Sequence, residues 1–377
     1  MLAFKSNSNI QPLVRRLPLI LFSLLAILIL SLHSDTNTPL LYSQCHSRSR
    51  LPTLSHIPII GAPACFLVSF FIFASSSTRA LAQLGAILAF VAALLTVTRI
   101  EAARKCNKKS WNITHPTLSW LVFNLAGGTV VWDLWIIPVF LHRAKQNRLE
   151  QRAKDDALSA PGVGCERDVY EETHRIIEDR SLEERAEIFA IPIAVLLGFG
   201  LPSILMLVFH DTLSVLVWLF FPLWVELVHW VVLLEARRLV PENGPVYVDS
   251  EKRFLAIPYT VPVVASIGFH VFVIYNLFFD DDGREMTRTA LKFIEIDFAF
   301  IAASIVYWVF VESGLIPAAI LVVLSFLIGP GAALCAVWPL REKAIVAFAL
   351  SDDKGEDGAS EESDGDDSTI HENTPLL

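Results

Sequence analysis

Long apolar runs recur through this chain and constrain its fold more than any other feature. Hydrophobic residues make up 54% of its 377 positions and charged residues only 18%, which is too little polar surface for a soluble domain of this size. We therefore predict an all-α fold, a polytopic bundle of about eight transmembrane helices. Runs close to the ~20 residues needed to span a bilayer lie at about 57–74, 80–100, 117–142, 188–209, 212–234, 255–279, 293–315 and 316–339.

A further, shorter apolar run at 17–32 follows Lys5, Arg15 and Arg16. This pattern is typical of a signal anchor or of a cleavable signal peptide, and the lack of a clear small-residue cleavage site favours the anchor. The C-terminal tail is acidic and nearly free of aromatic residues, so we expect it to be disordered. The predicted segments are an N-terminal segment at 1–56, three spans within 57–142, a polar loop at 143–187, five spans within 188–340 and the tail at 341–377.

The signals for membrane orientation disagree with one another. If all nine runs cross, the N-terminal side carries 17 Lys and Arg and the other side 12, which favours a cytosolic N-terminus. Asn112-Ile-Thr114 is a glycosylation sequon on the opposite side, in agreement with that orientation. The tail falls on the side of Asn112, however, and its Glu372-Asn-Thr-Pro-Leu376-Leu377 ending resembles an acidic dileucine signal, which is read only from the cytosol.

Ionisable side chains inside the predicted spans mark candidate functional positions, because each costs ~3 kcal/mol or more at membrane depth. Glu295 and Asp297 lie ~200° apart on a helix and must face different ways. We expect Asp297 to face the interior and Glu295 to reach the interface. The full set of candidates is Glu101, Asp133, Glu226 with His229, His270, Glu295, Asp297 and Glu312.

A plainer structural role is open to several of these candidates. Glu101 can pair with Arg104, three residues further on. Asp133 follows Gly127-Gly128, where two helices can pack closely, and Asp297 can bond to a neighbouring helix. Glu226-x-x-His229 matches half of a di-iron site, but the sequence shows no second half. We predict no metal, no cofactor and no nucleic-acid partner.

Five short motifs resemble those of one enzyme family, the fungal membrane-bound terpene cyclases of meroterpenoid biosynthesis, of the ascofuranone type. They are IPIIGAPACFLVSFF at 57–71, TRIEAAR at 98–104, FAIPIAVLLGFGLPSILML at 189–207, FFPLWVELV at 220–228 and FIEIDFAF at 293–300. The resemblance implies protonation of a terminal epoxide or alkene on a prenyl chain, carbocation ring closure and proton loss, all without a metal. It also implies a hydrophobic prenylated substrate, a prenyltransferase and an epoxidase as pathway neighbours, and a place in the endoplasmic reticulum membrane.

Residue by residue, the resemblance falls on Glu101 and Asp297, which alternate crossings would place near the same side of the membrane. We expect Asp297 to protonate the substrate and Glu101 to orient Asp297 or to accept the final proton. The chain departs from the family at Asp133, where an apolar or proline-bearing stretch is expected, and in its N-terminal extension, polar loop and tail. The predicted substrate-binding residues are Phe300, Trp308, His270, Trp224, Glu226 and Asp133.

Two other classes of function fit the same composition. In a multi-pass transporter or proton-coupled carrier, Asp133, Glu226 and His270 would line a pathway at mid-membrane. The sequence shows neither an inverted repeat nor interrupted helices in matching positions, which are typical of carriers. In a non-catalytic membrane scaffold, the acidic tail would bind partners.

Overall fold

A computed structural model describes residues 11–33, 61–158, 178–239, 252–278 and 285–360. Apart from one isolated β-bridge between Arg104 and Leu182, the regular structure in these ranges is helical, which confirms the all-α prediction. Four of the described helices are long and apolar enough to cross a membrane, or five if a pair bent by 63° counts as one span.

The helices follow the predicted apolar runs, but several runs are divided. π-Helical turns at Trp132–Ile136 and Leu196–Gly200 interrupt the helices in the runs at 117–142 and 188–209. In chain order the helices are α1 Gln11–His33, α2 Gly61–Ala74, α3 Thr78–Ala103, α4 Thr117–Ala126, α5 Gly128–Val131, α6 Ile137–Leu158, α7 Glu187–Val195, α8 Leu201–Phe209, α9 Thr212–Leu219, α10 Phe221–Leu239, α11 Lys252–Asn276, α12 Glu285–Ser313, α13 Leu315–Ile328 and α14 Pro330–Ser360.

The two ends of the chain show how far the predicted segments agree with the structure. The apolar run at 17–32 lies within α1, which packs on α12 through the rings of Phe22 and Tyr307, 6.4 Å apart. The predicted tail begins inside α14, which continues to Ser360. The remainder of the tail, 361–377, and the N-terminal stretch 34–60 lie outside the described residues.

Helices α3 and α12 run in the same direction and define the two ends of the bundle. The hydroxyl groups of Ser76 and Thr287, next to the starts of these helices, lie 2.6 Å apart. Near their other ends, Arg341 bonds both Glu101 and Glu312. We call these two ends of the bundle the Ser76 end and the Glu101 end.

The apolar run at 117–142 forms a hairpin and not a single crossing. Helix α4 leads away from the Glu101 end, the chain reverses at Gly127 with φ +121°, and the arm formed by α5 and α6 leads back. At the end of this return, Arg143 Nε donates to the carbonyl of Cys106 at 3.0 Å. Cys106 precedes the hairpin in the chain, so the return arm ends close to the point where the hairpin began. Helix α4 is too short to cross the bilayer, because its 10 residues cover only about half of the hydrocarbon thickness.

The run at 316–339 forms a second hairpin of the same kind. Helix α13 begins directly after α12, the chain reverses at Gly329 with φ +90°, and α14 leads back until Arg341 reaches Glu312. The 14 residues of α13 rise about 21 Å, again less than a full crossing. Glycine adopts a positive φ at little cost, which permits both reversals.

The two hairpins enter from the same end of the bundle and are built alike. The return arm of the first is capped by Asp297 of α12, which accepts from the N–H of Thr129 at 3.1 Å. The return arm of the second is capped by Ser266 of α11, which accepts from the N–H of Ala332 at 2.9 Å. The prediction that each of these runs is one crossing is therefore wrong, and every count of alternate crossings beyond Gly127 changes with it.

Candidate functional site

Asp297 lies where the return arm of the first hairpin meets α12. Its carboxylate accepts from the N–H of Thr129, whose hydroxyl donates to the Asp297 carbonyl at 2.6 Å. A Cβ atom on Gly128 would lie 2.5 Å from Asp297 Oδ2, so this approach requires glycine at position 128. The expectation that Asp297 faces the interior is confirmed, because its partner belongs to another helix.

Asp133 lies on the same face of the arm, four residues after Thr129, within the π-helical turn. Its side chain is fully buried, and neither carboxylate oxygen has a hydrogen-bond partner among the described residues. Ser304 is next to it, but its hydroxyl donates to the carbonyl of Ile301 at 2.8 Å. Asp297 is close enough to interact electrostatically with Asp133. We call these two residues the acid pair.

A cluster of aromatic rings packs between the first hairpin and α12, the two elements that carry the acid pair. The ring of Trp132, next to Asp133 in the chain, lies 6.4 Å from that of Trp308 and 6.1 Å from that of Phe123. Phe123 in turn lies 6.5 Å from Phe298, next to Asp297. The indole nitrogens of Trp132 and Trp308 are buried and, within the described chain, also lack partners.

Unpaired buried polar atoms are costly, at about 1–3 kcal/mol for each group. Native proteins carry few of them, so each one calls for an explanation, of which a catalytic role is one. Here two acceptor oxygens of Asp133 and two indole donors lie within one region between the first hairpin and α12. This concentration makes the region the strongest candidate site in the described structure.

Glu295, two residues before Asp297, faces away from the acid pair. Its side chain is exposed. The charged group that interacts with it electrostatically is the guanidinium of Arg79 on α3. The prediction that helical geometry separates Glu295 from Asp297 is confirmed.

Glu101 belongs to a different cluster, a buried charged network at the Glu101 end. Its Oε1 accepts from Arg104 at 3.2 Å, from Arg341 at 3.3 Å and from the indole of Trp338 at 3.1 Å. Its Oε2 accepts from Asn107 at 3.3 Å. The plainer expectation for Glu101, an ion pair with Arg104, is confirmed.

Two further glutamates complete the charged network with a third arginine. Arg180 and Arg341 both donate to Glu342, Arg180 Nε at 2.6 Å, and Arg341 also donates to Glu312 at 2.6 Å. Although burial opposes ionisation, the charges of Arg104 and Arg180 hold the pKa of Glu342 well below its usual value. Three arginines and three glutamates balance, so the network is neutral when all six are ionised.

Glu101 and Asp297 do not meet, contrary to the expectation that they act together. Arg341 joins Glu101 to Glu312, which lies on the same helix as Asp297. Between Asp297 and Glu312 the helix makes about four turns, a rise of about 22 Å. The crossing count placed Glu101 and Asp297 near the same side because it treated the first hairpin as a span.

The predicted substrate-binding residues are dispersed through the bundle. Asp133 and Trp308 belong to the candidate site, and Phe300 is partly exposed on the same helix as Trp308. His270 lies beside the second hairpin, with Nε2 3.1 Å from the Phe326 carbonyl oxygen. Trp224 is 39% exposed, and its indole donates to a backbone carbonyl. The structure does not gather these residues into one pocket.

Glu226 and His229 have separate partners. Glu226 pairs with Arg99 at 2.7 Å and accepts from Thr117 at 2.7 Å, at the start of the first hairpin. His229 lies 2.8 Å from Glu187. Among the described residues, no group of three or more potential ligands is placed to hold a metal ion.

The sequence analysis underestimated Asp133 and did not identify Thr129. A usable signal was present, since Thr129 and Asp133 follow Gly127-Gly128 at a spacing of four, which puts a hydroxyl and a carboxylate on one helix face. What the sequence did not reveal was the reversal at Gly127, which directs that face towards α12. Comparisons with protein-family models, curated proteins and solved structures find no match to this chain.

Proposed function

We propose that this chain is an integral membrane terpene cyclase that protonates a terminal epoxide or alkene on the prenyl chain of an aromatic or polyketide precursor. The observation that carries the proposal is the acid pair, two carboxylates without a cationic partner among the described residues, on elements that also carry a cluster of aromatic rings. The carboxylate of Asp133 is fully buried and has no cationic partner among the described residues, so charging it is costly and its neutral, protonated form is favoured. A carboxyl group held protonated in this way can act as a general acid.

Within the pair, we assign the proton donor to Asp133 and the orienting role to Asp297. Asp297 accepts from the N–H of Thr129, which holds its carboxylate in a fixed position. Neither oxygen of Asp133 has a hydrogen-bond partner in the described part of the chain, so its proton is available to an incoming substrate. This assignment replaces Glu101, whose oxygens are already bonded to four donors in the charged network.

The proposed reaction is balanced without a cofactor. Asp133 gives its proton to the epoxide oxygen or the terminal alkene carbon, and the carbocation that forms is attacked by successive double bonds of the prenyl chain. The faces of Trp132, Trp308 and Phe123 stabilise the travelling positive charge. Loss of a proton to the Asp133 carboxylate ends the reaction and restores the acid.

Substrate entry requires a movement of the first hairpin. The rings of this cluster are packed together, and the cleft beside Trp120 and Phe140, with a volume of about 10 Å³, is lined by neither acid. The arm that carries Asp133 begins at Gly127, whose backbone freedom suits a hinge. We propose that the arm moves away from α12 when substrate binds, in the membrane of the endoplasmic reticulum, after a prenyltransferase and an epoxidase have made the substrate.

The test uses microsomes that contain the full chain, incubated with epoxyfarnesylated phenols. Cyclised isomers of unchanged mass, identified by mass spectrometry and NMR, are the expected products. Asp133→Asn should reduce the rate by at least ~100-fold, the usual contribution of a general acid. Glu295→Gln is the matched control and should retain the parental rate, because this exposed residue lies two positions from Asp297.

Two results would contradict the assignment. If Asp133→Asn cyclises at the parental rate, Asp133 is not the acid. If the parental protein gives no cyclised isomer from any prenylated phenol or quinone precursor, the cyclase proposal itself fails.

A carrier is the second candidate function, favoured by the pair of hairpins. Broken helices in matching positions, with side chains that bond their first N–H groups, are typical of binding sites in secondary transporters. In that case Asp133 would carry a proton coupled to solute movement. Proteoliposomes would then show solute flux that depends on a pH gradient and is lost in Asp133→Asn, whereas a cyclase would show none.

A further inference from the structure

Lysine and arginine side chains are concentrated at one end of the bundle. From residue 61 onwards, and outside the apolar runs, thirteen with placed side chains lie at the Glu101 end and three at the Ser76 end. Those at the Ser76 end are Arg79, Arg288 and Lys292. Those at the Glu101 end are Arg104, Lys105, Lys108, Lys109, Arg143, Lys145, Arg148, Arg180, Arg185, Arg237, Arg238, Arg341 and Lys343.

Contacts between distant segments fix this grouping. Lys109 pairs with Glu150 at 2.8 Å, which joins the stretch after α3 to helix α6. Lys105 pairs with Glu178 at 3.3 Å, which joins the same stretch to the end of the polar loop. The count of alternate crossings assigned the stretch after α3 and the polar loop to opposite sides of the membrane. Because the first hairpin does not cross, their basic residues lie on the same side.

The other two stretches are joined to this end by further ion pairs. Arg237, at the end of α10, pairs with Glu184 at 2.7 Å. Arg341 of α14 bonds Glu101 of α3 at 3.3 Å. Four separate stretches of the chain therefore present their basic residues on one side.

We infer that the Glu101 end of the bundle is its cytosolic end. Loops rich in Lys and Arg remain in the cytosol during membrane insertion, whereas Asp and Glu have little influence, so the acidic partners at this end do not cancel the signal. The inference depends on the bundle spanning a membrane but not on its catalysing cyclisation.

This orientation resolves the conflict between the two sequence signals. Asn112 is exposed in the helical turn Trp111–Thr114 at the Glu101 end. A cytosolic asparagine does not meet the lumenal glycosylation machinery, so we expect the sequon to stay unmodified. Helix α14 leaves the apolar part of the bundle at the same end, which puts the acidic dileucine ending on the side where such a signal is read.

The test determines orientation in sealed microsomes whose cytosolic face is outward. A C-terminal epitope tag on the full chain should be digested by added protease without detergent. Glycosidase treatment should leave the mobility of the full chain unchanged and equal to that of Asn112→Gln. A glycine-serine segment that contains a sequon, inserted after His210 at the Ser76 end, should become glycosylated.

Each readout can overturn the inference. A glycosidase-sensitive band that is absent from Asn112→Gln would place the Glu101 end in the lumen. So would a tag that is digested only after detergent is added. The tag readout uses the chain without internal changes, so it decides the orientation even if the inserted segment disturbs folding.

Discussion

Asp133→Ala is expected to make the protein more stable while it abolishes activity. The wild-type side chain is fully buried, and its two oxygens have no partner among the residues that the structure describes. A buried polar group without partners costs about 1–3 kcal/mol. Alanine removes that cost but leaves a void of about 25 Å³. At ~24 cal/mol per Å³, this void lowers the free energy of unfolding by about 0.6 kcal/mol. The net gain is about 0.5–2 kcal/mol, which raises the apparent melting temperature by about 1–5 °C.

The assay is the loss of the monodisperse peak in fluorescence-detected size-exclusion chromatography after heating in detergent. Glu295→Ala, an exposed change on α12, is the control and should leave the midpoint nearly unchanged. Glu101→Ala should lower the midpoint clearly, because it removes a buried carboxylate that accepts from four donors and leaves the charged network with one uncompensated positive charge. A drop for Asp133→Ala as large as that for Glu101→Ala would refute the reasoning, since it would mean that Asp133 is a bonded structural acid.

Two further predictions concern the charged network and the hairpin tips. Glu342→Gln should lower the free energy of unfolding by about 3–5 kcal/mol at pH 7, because it leaves Arg180 with an uncompensated buried charge. The pKa of Glu342 is lowered in the folded state, so its contribution is present above the unfolded value of about 4.3 and is lost as pH falls below it. The parental melting temperature should therefore be flat from about pH 8 to 5 and fall below about pH 4, more steeply than that of the variant. In the same assay Gly127→Ala should be destabilising, because its φ is positive, and Gly128→Ala more so, because its Cβ atom would meet Asp297. Gly268→Ala, where a Cβ atom has open space, should be nearly neutral.

Local rules predicted much of this structure. Apolar runs of about 20 residues located the helices, because removal of apolar side chains from water is favourable wherever such a run occurs. Helical periodicity alone separated Glu295 from Asp297, and spacing alone identified the Glu101–Arg104 pair. Each of these inferences depends on residues within one or two helical turns of one another.

Long-range geometry was not predictable from the same rules. The apolar run at 117–142 satisfies the criterion for a span whether it crosses or turns back at Gly127. The difference lies in the backbone conformation of one residue, Gly127, and glycine permits that conformation without dictating it. Every inference that counted alternate crossings treated this run as one crossing. The pairing of Glu101 with Asp297 was wrong for that reason.

The first hairpin is continuous with the rest of the chain at the Glu101 end and is held by side-chain bonds at its tip, and that asymmetry decides how it can move. Its arm is fixed at the Glu101 end, where Arg143 grips the carbonyl of Cys106, while its tip at Gly127 is held by the bonds between Thr129 and Asp297. When an arm anchored in this way bends, its displacement is largest at the tip, close to the acid pair. A ligand would then reach Asp133 sideways from the hydrocarbon interior, a route suited to a molecule that is itself dissolved in lipid.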